Sequence, residues 1–161
     1  MSLKNLSVRK KIPNIYKSRL LNQRVNKIYK KFEKAFNIDT NFIVAVSGGS
    51  DSLALAFLTK VYAFKKNLNP AYFIVDHKLR KESTSEAKYV QKVLKNYSIN
   101  LKILTWNGVK PKKNIQSIAR DKRYELLIDE AKKIDLKNIL LGHHLDDLFE
   151  NFFIRILRGS G

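Results

Sequence analysis

An apolar run rich in β-branched residues, 41–46 (NFIVAV), passes without a spacer into Ser47-Gly48-Gly49-Ser50-Asp51-Ser52, and that into residues 53–65, apolar around most of a helical circumference. This junction constrains the fold more than any other feature of the chain. A short apolar run with no polar alternation marks a strand covered on both faces, as in a parallel sheet. A helix apolar on most sides must be largely buried as well. Between them, two glycines permit a tight turn and close backbone approach, the free amides of the helix start point at an anion, and three hydroxyls can donate to phosphate oxygens. The junction predicts a phosphate cradle. It is not the Walker P-loop, because no Gly-Lys-Ser/Thr is present, and it lacks the third glycine of the dinucleotide fingerprint. The plainer reading is a Gly-Gly turn with Ser or Asp as an ordinary helix cap. The full hexapeptide between a buried strand and a buried helix argues for the cradle.

The alternation of strand and helix continues along the chain. Residues 71–75 (AYFIV) read as a second strand, ended by Asp76, His77, Lys78, Leu79 and Arg80 in a loop. Ser83 and Glu86 have the spacing of a capping box. They open a helix with Val90, Val93, Leu94 and Tyr97 on one face. Residues 99–106 give a third strand and NGVKPKKN a basic loop, followed by a long helix over 115–134 with Ile118, Ala119, Leu127, Ala131 and Ile134 inward. Residues 138–141 form a fourth strand, and 145–158 a last helix with Leu145, Leu148, Phe149, Phe152, Phe153, Ile156 and Leu157 in one stripe. This order predicts an α/β fold: a three-layer, Rossmann-like parallel sheet with right-handed crossovers and helices on both faces. Ligands in such sheets lie at the carboxyl ends of the strands. The loops that begin at Ser47, Asp76, Asn107 and His143 are therefore the candidate sites.

Composition narrows the function. The 161 residues contain no cysteine, which removes disulfide scaffolds, thiolate zinc sites and cysteine nucleophiles from consideration and fits a reducing compartment, so a cytoplasmic location is expected. Lys60, Lys65 and Lys66 interrupt the longest apolar candidate, so no membrane partner is expected from a spanning helix. A net charge of +18 makes nucleic acid the leading partner, ahead of an anionic membrane surface. The charge is uneven. Residues 1–36 carry eleven Lys/Arg and the single acid Glu33, a basic arm distinct from the domain at 37–161. Within the arm, Leu21, Val25, Ile28, Phe32 and Phe36 recur at helical spacing, predicting an amphipathic helix over 20–36 docked on the domain, with disorder before Pro13. A cleavable organelle transit peptide is the alternative, and the preference for Lys over Arg argues against it.

The motifs now carry a resemblance. SGGSDS after an apolar strand resembles the signature of the PP-loop ATP pyrophosphatases, the adenine nucleotide alpha hydrolase-like fold, which cleave ATP between its α and β phosphates. Val75-Asp76-His77-Lys78-Leu79-Arg80, Ala119-Arg120-Asp121-Lys122-Arg123-Tyr124, His143-His144-Leu145-Asp146-Asp147 with Glu150, and Leu157-Arg158-Gly159-Ser160-Gly161 narrow it. Together, in order over residues 41–161, they resemble the tRNA(Ile)-lysidine synthetases. The resemblance implies an enzyme that uses ATP to adenylate the C2 carbonyl of the wobble cytidine in the anticodon loop of a minor isoleucine tRNA, after which the ε-amine of free L-lysine displaces AMP. It leaves a homodimer of the full-length form open.

Carried over by position, Ser47, Gly48, Gly49, Ser50, Asp51 and Ser52 hold the ATP phosphates, with Asp51 and, in a weaker assignment, Asp147 near Mg2+. Arg123 faces phosphate or the activated cytidine; spacing alone makes it a solvated cation beside Lys122, Lys132 and Lys133. By resemblance His143 assists the adenylated intermediate, while Asp147 and Glu150 receive the lysine ammonium or support the metal. The two carboxylates, three residues apart, share a helical face. As first-turn acids, Asp146 and Asp147 also complement a helix dipole. A transition-metal site on His143, His144 and these acids matches no familiar zinc spacing. His77 either touches the nucleotide or hydrogen-bonds within its loop. Many family members have Gln where Leu148 stands, and the family continues past Arg-Gly-Ser-Gly, so the chain is expected to be an incomplete catalytic domain without the C-terminal tRNA-binding regions. The readings that compete are another PP-loop enzyme such as a tRNA thiolase, and a noncatalytic basic RNA-binding module. The arm and Lys110 to Lys113 are the expected tRNA backbone contacts.

Overall fold

The structure, a computed structural model, describes residues 11–142. Its elements run α1 (Asn14–Leu20), α2 (Gln23–Ala35), β1 (Ile43–Val46), α3 (Ser50–Lys66), β2 (Ala71–Asp76), α4 (Ser83–Lys95), β3 (Leu101–Thr105), α5 (Ile115–Lys133) and β4 (Ile139–Leu141). The four strands form one parallel sheet in the order β3-β2-β1-β4. The expected α/β fold is observed. The helix expected over 145–158 lies outside the described residues.

The apolar run of β1 makes sense once its two faces are separated. Val44 and Val46 join Tyr72, Ile74, Ala56, Ala87 and Leu94 in a core beneath α3 and α4. Ile43 and Ala45 join Phe73, Leu104, Leu127 and Ala131 in a second core against α5. All four β1 residues are buried, so neither set can be polar. Three layers result, and α5 carries the chain beneath the sheet from one edge to the other. That crossing puts a topological switch point between β1 and β4, where α/β sheets open a crevice for ligands.

Several sequence expectations change. Among the described residues the arm contains two helices, not one. Asn22 separates them and caps α2, its side chain accepting from the amides of Arg24 and Val25 at 3.0 and 3.3 Å. Leu21 and Ile28 are exposed, and α2 instead turns Tyr29 inward with Phe32 and Phe36. Aromatic packing sets this rotation: Phe36 meets Tyr62 edge-on at 4.8 Å and Phe42 at 5.5 Å. Of the segment before Pro13, Ile12 packs on the cluster of Tyr16, Tyr29 and Val61, and residues 1–10 lie outside the described residues. In α5, Ile134 is exposed and Glu130 is buried in its place. Hydrogen bonding from Lys102 holds the Glu130 carboxyl below its ordinary range, with Lys102 and Lys133 adding charge.

Candidate active site

At the end of β1 the chain must reverse into α3, and Gly48 makes the turn with φ at +90°, a region that side chains strain to enter. Ser52 then closes the loop from inside. Its hydroxyl donates to the Gly49 carbonyl at 2.9 Å and accepts from the amide and the hydroxyl of Ser47, each at 3.1 Å. Ser52 is buried, so its hydroxyl spends its bonds on holding the loop's shape. Gly49 precedes the helix in extended conformation and no side chain caps α3. The first-turn amides are thus left for a ligand, with exposed Ser50 and Asp51 beside them. From the other side Gly142, just past β4, presses on this turn: a Cβ on it would stand 2.8 Å from the backbone N and Cα of Ser52.

The loop after β2 is built around one buried carboxylate. Asp76 accepts from the Thr84 hydroxyl at 2.6 Å, from the Lys78 amide at 3.0 Å, and from the Ser83 hydroxyl. Burial alone raises its carboxyl, but these bonds and the Lys78 charge outweigh it and hold the group below its ordinary range. The expected capping box does not form: Glu82 stands at the helix cap, and the Ser83 hydroxyl is spent on Asp76 and the Lys78 amide. Glu86 pairs with Arg80 at 2.9 Å instead. Lys78 takes a left-handed backbone, φ 50°, with its amide shared between Asp76 and Ser83. This bend presents His77, whose buried Nδ1 has no partner among the described residues. Burial, then the charge of Arg123, depress the His77 pKa, so its imidazole favours the neutral form.

These loops meet α5 around a cleft of about 430 Å3 at the carboxyl edge of the sheet. Ser47, Gly48, His77 and Arg123 line it together with the Arg80–Glu86 pair and Ser83, and Ile74 and Val90 contribute to its apolar wall. Arg123 also lines a small cavity of about 20 Å3 with Ser47, Ser52 and Gly142. Gly49, Ser50 and Asp51 sit at the helix start outside both linings. His143, Asp147 and Glu150 lie outside the described residues. Sequence reading missed the roles of Asp76 and Gly142; the usable signals were an acid ending an apolar strand and a glycine following another. Lys110, expected on RNA, is fastened locally: its ammonium lies 3.8 Å from the Trp106 ring centroid and donates to the Trp106 carbonyl at 2.6 Å. Lys112 and Lys113 remain exposed.

With this arrangement in view, comparison with known proteins is decisive, for the profile described as the PP-loop domain matches residues 18–161. The chain belongs to the PP-loop family. Relatives described as tRNA(Ile)-lysidine synthase bear out the resemblance read from the motif blocks. One from Orientia tsutsugamushi is 43% identical over 127 residues, covering 79% of this chain and 29% of the relative. Another from Bartonella henselae is 44% identical over 118 residues, covering 72% and 24%. A third, from Rickettsia bellii, is 36% identical over 143 residues, covering 83% and 33%. The chain therefore spans 24–33% of these relatives' length. Among solved structures, a tRNA thiolase of Methanococcus maripaludis with its 4Fe-4S cluster superposes with a TM-score of 0.72 at 21% identity, over 86% of this chain and 52% of that one. That likeness establishes a shared fold.

Proposed function

We infer that this PP-loop chain is the ATP-handling part of a tRNA(Ile)-lysidine synthetase, a ligase that joins the ε-amine of free L-lysine to C2 of the wobble cytidine through an adenylated intermediate. The observation that carries this reading is the 36–44% identity to three relatives of one described activity over most of the chain. The thiolase reading has only a shared fold behind it. A 4Fe-4S cluster needs cysteine thiolates, and these 161 residues contain none.

In this reading the PP-loop receives the phosphates. Its first-turn amides lie where negative charge grows as the bond between the α and β phosphates breaks, and such preorganised donors stabilise a leaving pyrophosphate. Ser47 and Ser52 contribute by fixing the loop. Arg123 completes the positive wall, touching the phosphates or the activated base, and His77, neutral and unpartnered, offers a ring nitrogen to the nucleotide. Mg2+ suits this donor set. It keeps several waters and binds through one or two carboxylates plus substrate phosphates, and Asp51 is an exposed carboxylate of that kind. When bound, the metal neutralises charge on the departing pyrophosphate. His143, Asp147 and Glu150 are assigned to the adenylated intermediate and the lysine ammonium on sequence grounds. ATP, lysine and tRNA share the cytoplasm, and no described helix is long and apolar enough to cross a membrane.

The test is release of AMP and pyrophosphate by the complete gene product. Release that requires both lysine and the minor isoleucine tRNA is expected. Equal release with an unrelated tRNA would overturn the substrate assignment. Arg123→Gln is expected to lower kcat/KM about a hundredfold or more, the scale for removing one charge-stabilising donor, with the melting temperature unchanged.

A further inference from the structure

Beyond the cleft, a concentration of unbalanced charge among the described residues lies on α2. Lys27, Lys30, Lys31 and Lys34 fall at spacings of three and four residues, with Leu21 and Asn26 bordering the same shallow groove of about 550 Å3. Lysines so spaced are neighbours on a helix surface, and each like pair destabilises the helix. The one acid of α2 cannot offset them. Glu33 is turned to the opposite side, where it accepts from Lys65 at 2.9 Å and from the Tyr29 hydroxyl at 2.9 Å. No ion pair among the described residues involves the four lysines. The counter-charge for this face has to come from outside the described protein.

We propose that this lysine face of α2 is a docking surface for the phosphate backbone of RNA. The partner class rests on the proposed function, in which the substrate is a tRNA. An anionic membrane is the other polyanion such a face could meet, but a helix lying in a bilayer surface needs a free apolar face to insert. That of α2 is already spent: Tyr29 and Phe32 pack with Tyr16 and Val61, and Phe36 packs edge-on against Phe42 and Tyr62. Only Leu21 and Ile28 remain exposed on this helix and its leading turn, at 82% and 57%. Four ammonium groups without a hydrophobic anchor suit phosphates read by charge alone, which positions an RNA without selecting its sequence.

Binding of unfractionated bacterial tRNA is measured as a function of salt for the complete gene product and for a variant with Lys27, Lys30, Lys31 and Lys34 each changed to Gln. Gln has nearly the helix propensity of Lys, so α2 is expected to persist. The expected result is weaker binding and a slope of log K against log salt reduced by about 3, at about 0.7–0.9 for each phosphate no longer neutralised. A control changing Lys92 and Lys95, exposed on α4, to Gln is expected to leave the slope in place. Two half-variants, Lys27 with Lys31 and Lys30 with Lys34, are each expected to show half the effect, which a misfolded protein would not. An unchanged slope overturns the surface, as does loss of binding to vesicles of phosphatidylcholine and phosphatidylglycerol with tRNA binding intact. Tested this way, the surface and the activity fail separately. An unchanged slope in a protein that still releases pyrophosphate with lysine and tRNA removes the surface alone, and a reduced slope without that release removes the activity alone.

Discussion

Two glycines fix the shape of the turn between β1 and α3, the proposed phosphate site, for different reasons. Gly48 is required by its φ of +90°, and a Cβ there would also meet Val90 Cγ2 at 3.1 Å. Gly142 is required by backbone proximity, because Ser52 N and Cα at 2.8 Å cannot rotate away. Gly142→Ala is expected to cost about 1–3 kcal/mol of stability, as overpacking does, and to weaken ATP binding more than tenfold by displacing the start of α3; calorimetric titration showing wild-type affinity would refute that. The loop after β2 predicts a pH dependence. Burial and Arg123 keep His77 below its ordinary value of 6.5, so the unfolded chain takes up that proton first and stability falls as pH drops below about 6.5. Asp76, held below its ordinary 3.8, contributes stability that is present above that value and lost as pH falls further. Two successive losses are expected in acid unfolding, and His77→Gln should remove the upper one. Gly48 was readable in the sequence because a strand running straight into Gly-Gly leaves few other turns. The capping box was misread because the Ser83 hydroxyl donates to Asp76 and accepts from the Lys78 amide, while Glu82 stands at the helix cap. A buried carboxylate that needs donors outbids a solvent-exposed helix start, and spacing alone does not reveal Asp76 as buried.

At the scale of elements, the sheet and the helices that cross it were legible because β1 and β2 are runs too apolar to be anything but covered, β3 alternates apolar with polar residues, and polar loops separate strands from helices. The arm was legible only in part. α1 has seven residues and one buried side chain, Tyr16, so it has no periodicity to detect. Tyr16 nevertheless anchors the arm to the domain. It is fully buried, lies 5.1 Å from the Phe57 ring centroid and 6.1 Å from that of Tyr97, and donates its hydroxyl to the Tyr97 carbonyl. Burial and neighbouring tyrosines push its own pKa far up, so it stays a donor across the accessible range. Tyr16→Ala should cost about 3–5 kcal/mol, the scale for deleting a buried aromatic, and Tyr16→Phe about 1 kcal/mol for the lost hydrogen bond. Chemical denaturation gives both values. A Tyr16→Ala cost below 1 kcal/mol would mean that the arm packs independently of the domain.

For the whole molecule, the charge of +18 resolves into parts with different neighbours. Lys65, Arg80, Lys102, Lys122 and Lys133 are paired with acids, Lys110 is held on Trp106, and Lys27, Lys30, Lys31 and Lys34 of α2 have no ion pair among the described residues. Arg123 stands where a sheet of this order opens its crevice, beside the PP-loop and His77. The candidate site was legible as far as the motif blocks reach. Its assembly was not, because Arg123 comes from the far face of the sheet and only the crossing of α5 beneath β1 brings it to the loop. The central claim, that this PP-loop serves lysidine formation, is tested most directly at the product. The complete gene product is incubated with ATP, L-lysine and a minor isoleucine tRNA, and the wobble nucleoside is isolated and weighed by mass spectrometry. The account predicts a cytidine heavier by one lysine less one water, absent when lysine or ATP is withheld. An unmodified cytidine, or a wobble base that has gained sulfur, would contradict it.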